Sequence, residues 1–379
     1  MISLQKVTGI KGLTTLIRAD YNVPFKNGKV VDARRIEASY ATIDAVLKKG
    51  STPILIAHLG DETATLRPVA TVLSKRYKVV FITNDLFDTR THEIISAVPS
   101  GTVILFENIR RYKGEEENDK GFAQTLASYG DLYVNDAFSV SHRTHASIVG
   151  VPKLLPSYAG LQLQAEIKAL SAVLEKPTHP FLFILGGAKF STKIPLLKKF
   201  ATTADSIVIA GAIVNNFYAM AGFPVGDSVV EAGYETPIKE MLTDSKLLLP
   251  IDVMVTRAVS NKTKKIIVTP DEVQPGDVIV DIGPQSIELI TEKIKKAKLV
   301  VWNGPTGWYE KGFTAGTLGL ARALANAKAT TIIGGGDTGA ALESMLDSAT
   351  NKKIFVSTGG GATLEYLSSG TLPGIKVLE

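Results

Sequence analysis

Four glycine-rich turns in the second half of the chain, each directly behind a short apolar run, have the makings of a phosphate cradle: Gly186-Gly187-Ala188-Lys189, Asn303-Gly304-Pro305-Thr306-Gly307, Gly334-Gly335-Gly336-Asp337-Thr338-Gly339 and Thr358-Gly359-Gly360-Gly361. Backbone N–H groups clustered at the carboxyl ends of parallel strands bind anions, and a following helix adds the positive end of its dipole. Lys189 and Lys193, four residues apart, oppose the dipole of a helix starting there, so they imply an anionic ligand and are expected on one helical face. Asp337 and Thr338 offer a hard carboxylate and a hydroxyl, the donors that Mg²⁺ with a nucleotide needs. The first half ends its apolar runs differently, in Asp20, Asn22, His58, Arg110, Asp136 and Arg143. One half suits a nucleotide and the other a small anion, which is the division expected of a two-substrate enzyme.

Other chemistries fit less well. Gly334, Gly336 and Gly339 match the G-x-G-x-x-G dinucleotide fingerprint. Against it, Asp337 would repel a pyrophosphate unless a cation intervened, and the next apolar run ends in Ser357-Thr358 rather than an acidic ribose ligand. The chain beyond the loop, about 40 residues, is too short for the second half of such a domain. There is no G-x-x-x-x-G-K-[ST] loop and no protein-kinase signature. The absence of cysteine excludes disulfides, thiolate metal sites and cysteine nucleophiles. A net charge of +5 over 379 residues, without basic and aromatic residues interleaved, does not call for nucleic acid. The first residues lack a signal-peptide pattern and no apolar run is long enough to span a membrane, so a soluble cytoplasmic protein is expected.

The elements that must position these residues alternate. Short apolar runs at 14–19, 52–57, 79–83, 102–106 and 131–135 read as buried strands, separated by amphipathic stretches at 32–49, 66–77 and 120–129. The pattern resumes with strands at 181–185, 206–210, 248–254, 278–282, 299–302, 331–333 and 353–357, and helices at 193–204, 236–246, 286–296, 318–327 and 338–346. Such alternation predicts an α/β fold of two doubly wound, Rossmann-like parallel-sheet lobes. Between them Leu161, Ala165, Ile167, Leu170, Val173 and Leu174 mark a helix that Pro177 and Pro180 stop. The expected organisation is an N-terminal lobe at 1–160, an interlobe helix and hinge at 161–178, a C-terminal lobe at 179–365, and a tail at 366–379 returning to the first lobe.

In order along nearly the whole chain, nine motifs resemble those of the phosphoglycerate kinase family. Arg18-Ala19-Asp20-Tyr21-Asn22-Val23-Pro24 is similar to its R-x-D-x-N-V-P signature, followed by Asp32-Ala33-Arg34-Arg35-Ile36. Leu105–Arg110, Tyr133–Phe138, His142–Ser147, Gly187–Lys189, Trp302–Pro305, Gly335–Thr338 and Ser357–Ala362 complete the set. The resemblance implies transfer of the acyl phosphate of 1,3-bisphosphoglycerate to ADP, and the reverse from ATP to 3-phosphoglycerate. It assigns Asp20, Asn22, Arg35, His58, Gly60, Arg110 and Arg143 to the phosphoglycerate. Gly187, Lys193, Gly211, Asn303, Pro305, Trp308, Glu310, Gly335, Gly336, Asp337 and Thr338 fall to the nucleotide, with Asp337 on Mg²⁺. Arg35, Lys189, Gly336 and Gly360 are expected to neutralise the transferring phosphoryl group. The attacking oxygen is already ionised near neutral pH, so catalysis should rest on positioning and charge rather than on a general base. Closure about a hinge and a monomeric state are further expectations from the family.

Three positions depart from the family. Ala57-His58-Leu59-Gly60-Asp61-Glu62 stands where S-H-L-G-R-P is usual, replacing an expected cation by Asp61, for which Arg67 or Arg111 would have to compensate. Phe355 stands in place of a histidine that would pair with Glu166, and Ala210-Gly211-Ala212 has fewer glycines than usual. A kinase of a related phosphorylated carboxylate, or a non-catalytic nucleotide-binding protein, are the competing readings these changes leave open.

Overall fold

The computed structural model describes residues 1–257, 264–334, 339 and 353–379. The chain forms two compact units, Met1–Lys168 with Ser369–Glu379, and Ala169–Ser368. The boundary falls inside the helix Leu161–Glu175.

The first unit is built on six parallel strands in the order Lys78–Ile82, Thr102–Phe106, Thr52–Ile56, Thr14–Arg18, Leu132–Asn135 and Ser157–Ala159. Nearly continuous apolar runs are what a sheet covered on both faces requires. Ile17, Leu55 and Leu105 pack against Ile36, Ile43, Val46, Val69 and Leu73 from the helices, all buried. The amphipathic stretch expected at 32–49 is two helices, Arg34–Ala38 and Tyr40–Lys48. They part at Ser39, whose hydroxyl donates to the Ile36 carbonyl at 2.7 Å and stands 2.9 Å from the Tyr21 hydroxyl. That local bond competes with the helical ladder. The strand Ser157–Ala159, the hairpin Phe25–Lys26 with Lys29–Val30 and the helix Arg90–Ser96 are additions to the expected pattern.

The second unit has its own six-stranded parallel sheet, ordered Leu247–Leu248, Ser206–Ile209, Phe181–Leu185, Leu299–Asn303, Thr330–Gly334 and Ile354–Val356. Ile290 and Ile294 of the helix Pro284–Lys296, and Leu320 and Leu324 of the helix Ala315–Ala325, cover Leu182, Val300, Trp302 and Ile333. The runs at 248–254 and 278–282 do not both join this sheet as strands of the alternating pattern. Val253–Thr256 and Val278–Ile282 pair antiparallel, with Ile266–Val268 on the other edge, as a separate three-stranded sheet. The helix expected at 338–346 lies outside the described residues except for Gly339.

In each sheet the chain order reverses beside its first strand, and connections leaving in opposite directions open a crevice at the strands' carboxyl ends. In the first unit that end carries Arg18, Asp20, His58 and Asp136. In the second it carries Gly186 and Gly187 after Phe181–Leu185, and Gly304 and Pro305 after Leu299–Asn303.

Candidate active site

In the first unit the strand ends gather cations around one histidine. Arg18 is 1% exposed, and its guanidinium donates to the Ser147 hydroxyl at 2.8 Å, to the Ala19 carbonyl and to His58 Nδ1 at 3.1 Å. A guanidinium only donates, so Nδ1 must accept and the imidazole proton sits on Nε2. Burial, reinforced by Arg18, Arg110 and Arg143, pushes the His58 pKa well below the ordinary 6.5 and keeps the ring neutral. Nε2–H is therefore a fixed donor, buried and without an acceptor among the described residues. Burial and the neighbouring Arg110 and Arg18 likewise lower the pKa of Arg143. An anion is the natural counterweight to such a potential.

The remaining predicted residues are held around this group. Arg110 donates to the Gly60 carbonyl at 2.5 Å and pairs with Glu116 at 3.2 Å, while Gly60 N–H donates to Asn22 Oδ1 at 3.0 Å. Arg35 is 3.2 Å from Asp20 Oδ2 and donates to the Asn22 carbonyl, and the Ser139 hydroxyl donates to Asp20 Oδ2 at 2.6 Å. Asp20 thus helps to orient Arg35.

Asp136 belongs elsewhere. Its Oδ1 accepts the N–H groups of Gln162 and Leu163 at 2.9 and 3.3 Å, capping the helix Leu161–Glu175. Its complete burial raises its pKa to about 7. Asp61 turns its carboxylate onto its own turn, accepting the Thr63 N–H at 2.9 Å and hydroxyl at 2.6 Å. Of the two arginines expected to compensate, Arg67 lies over the Phe81 ring and Arg111 pairs with Glu107 at 3.3 Å.

In the second unit a cavity of about 480 Å³ opens at the crevice, lined by Gly187, Lys189, Lys193, Gly211, Asn303, Pro305, Trp308 and Glu310 together with Val229, Val253, Ile279 and Val280. Gly187 and Gly304 have φ of +95° and +87°, and a Cβ at Gly304 would collide with the Gly186 backbone. Only glycine allows the two turns this approach. Buried Trp302 fixes the second turn by donating its indole N–H to the Gly304 carbonyl at 2.8 Å. Lys189 and Lys193 do not share a helical face: Lys193 N–H donates to the Phe190 carbonyl in a turn, and the helix begins at Ile194. Lys193 Nζ meets Asn303 Oδ1 at 2.5 Å. Gly360, with φ of +54°, forms the last turn, where Gly359 N–H donates to the Ser357 hydroxyl at 3.1 Å. Gly335, Gly336, Asp337 and Thr338 lie outside the described residues.

The glycine turns at Gly187 and Gly304 thus line one cavity, and Arg18, Arg110 and Arg143 surround His58. The phosphoglycerate kinase family model matches residues 4–370. The chain belongs to the phosphoglycerate kinase family. It is 41% identical to the phosphoglycerate kinase of Dictyoglomus turgidum over 98% of this chain and 96% of that protein. The phosphoglycerate kinase of Pelotomaculum thermopropionicum is 38% identical over 97% of each. Among solved structures, phosphoglycerate kinase from Coxiella burnetii is similar at a TM-score of 0.85 with 35% identity, covering all of this chain and 98% of that one. The enzyme from Pyrococcus horikoshii gives a TM-score of 0.86 with 28% identity at the same coverage. The activity is thus a phosphotransferase reaction between 1,3-bisphosphoglycerate and ADP, yielding 3-phosphoglycerate and ATP, within glycolysis. No helix among the described residues is long and apolar enough to cross a membrane.

Several residues of this phosphoglycerate kinase site were not singled out by the sequence reading. Arg18 lies inside the first motif, and its place at a strand's carboxyl end was the available signal. Glu115, which accepts the Ser147 N–H and hydroxyl at 2.9 and 2.6 Å, sits in the run Lys113–Glu117 that reads as solvated surface. Glu231 accepts the Phe190 N–H at 2.5 Å and so fixes the turn carrying Lys189, with no motif to announce it.

Proposed function

We propose that the arginine cluster of the first unit holds the phosphoglycerate and the cavity of the second holds ADP or ATP. The observation that supports this division most directly is the contrast in donor chemistry. His58 Nε2–H, Arg35, Arg110 and Arg143 present charged or fixed side-chain donors suited to a compact phosphate and carboxylate, and guanidinium forks match both groups bidentately. The cavity instead pairs an apolar wall of Val229, Val253, Ile279 and Val280 with two glycine turns and two lysines, which suits a base at one end and phosphates at the other.

In this assignment Glu310 accepts from the ribose hydroxyls, and Pro305 and Trp308 border the adenine. Lys189 and Lys193 meet the phosphate oxygens. Among the described residues no group of three or more His, Cys, Asp or Glu side chains stands together to hold a metal. Asp337 lies outside the described residues, and Mg²⁺ is commonly held by one or two carboxylates and the substrate's phosphates. Asp337 would be its protein ligand, and the ion would neutralise phosphate charge. Arg35, Lys189 and the backbone donors at Gly336 and Gly360 then stabilise the charge of the group in flight, with no proton to remove. Transfer requires the two bound substrates to come together during turnover, with water excluded from the acyl phosphate. The chain acts without nucleic acid, in the cytoplasm and as a monomer in this proposal.

The test is ATP-dependent phosphorylation of 3-phosphoglycerate, read by coupling 1,3-bisphosphoglycerate formation to NADH oxidation, with Lys189→Ala as control. Turnover that falls at least a hundredfold in the variant, while ADP still binds it, supports the assignment. Equal turnover in the two proteins would remove Lys189 from the chemistry.

A further inference from the structure

Asp281, which the assignment above leaves without a role, is buried in the wall of the nucleotide-side cavity. It lies in the strand Val278–Ile282 and is 2% exposed. Its Oδ2 accepts the Gly316 N–H at 3.0 Å, in the first turn of the helix Ala315–Ala325. Its Oδ1 accepts the Ile282 N–H at 2.9 Å and the Thr306 hydroxyl at 3.2 Å. Thr306 is anchored a second time through its N–H, which donates to the Thr317 hydroxyl at 3.0 Å. A Cβ at Gly307 or at Gly316 would collide with the Asp281 carboxylate, so loop and helix both close directly on it. The same strand takes the far end of the loop, since Trp308 N–H donates to the Val280 carbonyl at 2.8 Å.

One carboxylate therefore ties together a strand, a helix N-terminus and the loop Gly304–Trp308, which supplies Pro305 and Trp308 to the cavity. We propose that Asp281 is a positioning residue for the nucleotide: it holds this loop where Pro305 and Trp308 meet the base and the following Glu310 meets the ribose. The proposal rests on the reading of the cavity as the nucleotide site. A carboxylate suits the position because every neighbour is a donor. A carboxamide of the same shape would have to turn its NH₂ group toward either the Gly316 or the Ile282 N–H, leaving donors opposed in a buried place. Burial carries a cost visible in the Asp281 pKa, which rises to about 6.

The experiment compares Asp281→Asn, Thr306→Val and Lys193→Ala with the parent enzyme. ADP affinity is measured by calorimetry, KM for ATP and for 3-phosphoglycerate and kcat by the coupled assay, and folding by circular dichroism. Asp281→Asn is expected to weaken ADP binding and raise KM for ATP roughly tenfold. KM for 3-phosphoglycerate and kcat at saturating ATP should stay within about twofold, a split that a general loss of stability would not produce. Thr306→Val, which removes the hydroxyl link to the carboxylate together with the 3.2 Å contact to the Thr317 hydroxyl, should show the same split at smaller size and keeps the test decisive if Asp281→Asn does not fold. Unchanged nucleotide affinity in both variants, with Lys193→Ala weakening ADP, overturns the positioning role and leaves the cavity reading intact. Unchanged ADP affinity in Lys193→Ala as well places the nucleotide elsewhere, and overturns both.

Discussion

Asp61 departs from the family pattern at a single side chain. The carboxylate sits where an arginine is usual, yet it is spent on its own turn, accepting from Thr63 N–H and hydroxyl. Those bonds, side chain before backbone, lower its pKa, so it is ionised at neutral pH. A carboxamide in its place keeps an oxygen for the turn and removes a negative charge from the neighbourhood of Arg110, whose guanidinium binds the adjoining Gly60 carbonyl. Asp61→Asn is therefore expected to leave kcat unchanged and KM for 3-phosphoglycerate unchanged or lower. A rise in that KM beyond about fivefold in the coupled assay would show that the carboxylate itself is used. At this scale, the placement of Asp20, Asn22, His58 and Arg110 just beyond strands of the first sheet was legible because each is a polar side chain behind an apolar run. Glu115 was not, because a glutamate among Lys113, Glu116 and Glu117 carries no mark of its burial at 1% exposure. Only the fold brings Ser147 across to meet it.

Among the elements, the helix Leu161–Glu175 owes its start to Asp136, an acid that the sequence grouped with the substrate side chains. Burial raises its pKa to about 7 against 3.8 for an ordinary aspartate. Between those values the folded state carries a proton that the unfolded chain lacks, so this group adds stability as pH falls below 7 and loses it as pH rises through 7. The carboxamide introduced by Asp136→Asn titrates in neither state. Relative to that variant, the parent enzyme should therefore gain stability on going from pH 7 toward pH 4, by up to about 1.4 kcal/mol per pH unit. Urea unfolding of both proteins at a series of pH values measures this, and a constant difference across the range would contradict it. The strands Val253–Thr256 and Val278–Ile282 mark the limit of sequence reading at this scale. An apolar run looks the same whichever partner it pairs with, and the antiparallel sheet that holds Asp281 is made by pairings from elsewhere in the chain. The helix break at Ser39 was equally hidden, since the amphipathic pattern continues through it.

Across the whole molecule, the first unit is assembled from two distant pieces of chain. Residues 369–379 belong with Met1–Lys168. Gly374 N–H donates to the Ser141 carbonyl at 2.8 Å, Asn135 donates to the Gly374 carbonyl at 3.2 Å, and Leu372, Ile375 and Leu378 are buried. Three such side chains contribute on the order of 4–9 kcal/mol, at about 1.5–3 kcal/mol each. That is comparable with the entire stability of many domains. Truncation after Ser369 is thus expected to speed hydrogen exchange by at least about tenfold in the strand Leu132–Asn135 while leaving Leu299–Asn303 protected. Equal protection of both strands in the truncated and parent proteins would show that the tail is dispensable. The alternating pattern foretold two parallel-sheet lobes, because each strand and helix signals itself locally. A tail at 366–379 was expected to return to the first lobe, and residues 369–379 group with it, but no local signature marks Ser141 and Asn135 as what it meets.

The order in which this chain is made acquires a meaning from that split. A growing chain ordinarily completes its earlier domain first. Here everything in Ala169–Ser368 emerges from the ribosome before the segment that closes the first unit. The unit Ala169–Ser368 can mature while the first unit is still waiting for residues 369–379. A nascent chain released short of that piece would carry a finished second unit and an unfinished first one, and quality control would have an exposed Ile148 and Ser141 surface to recognise.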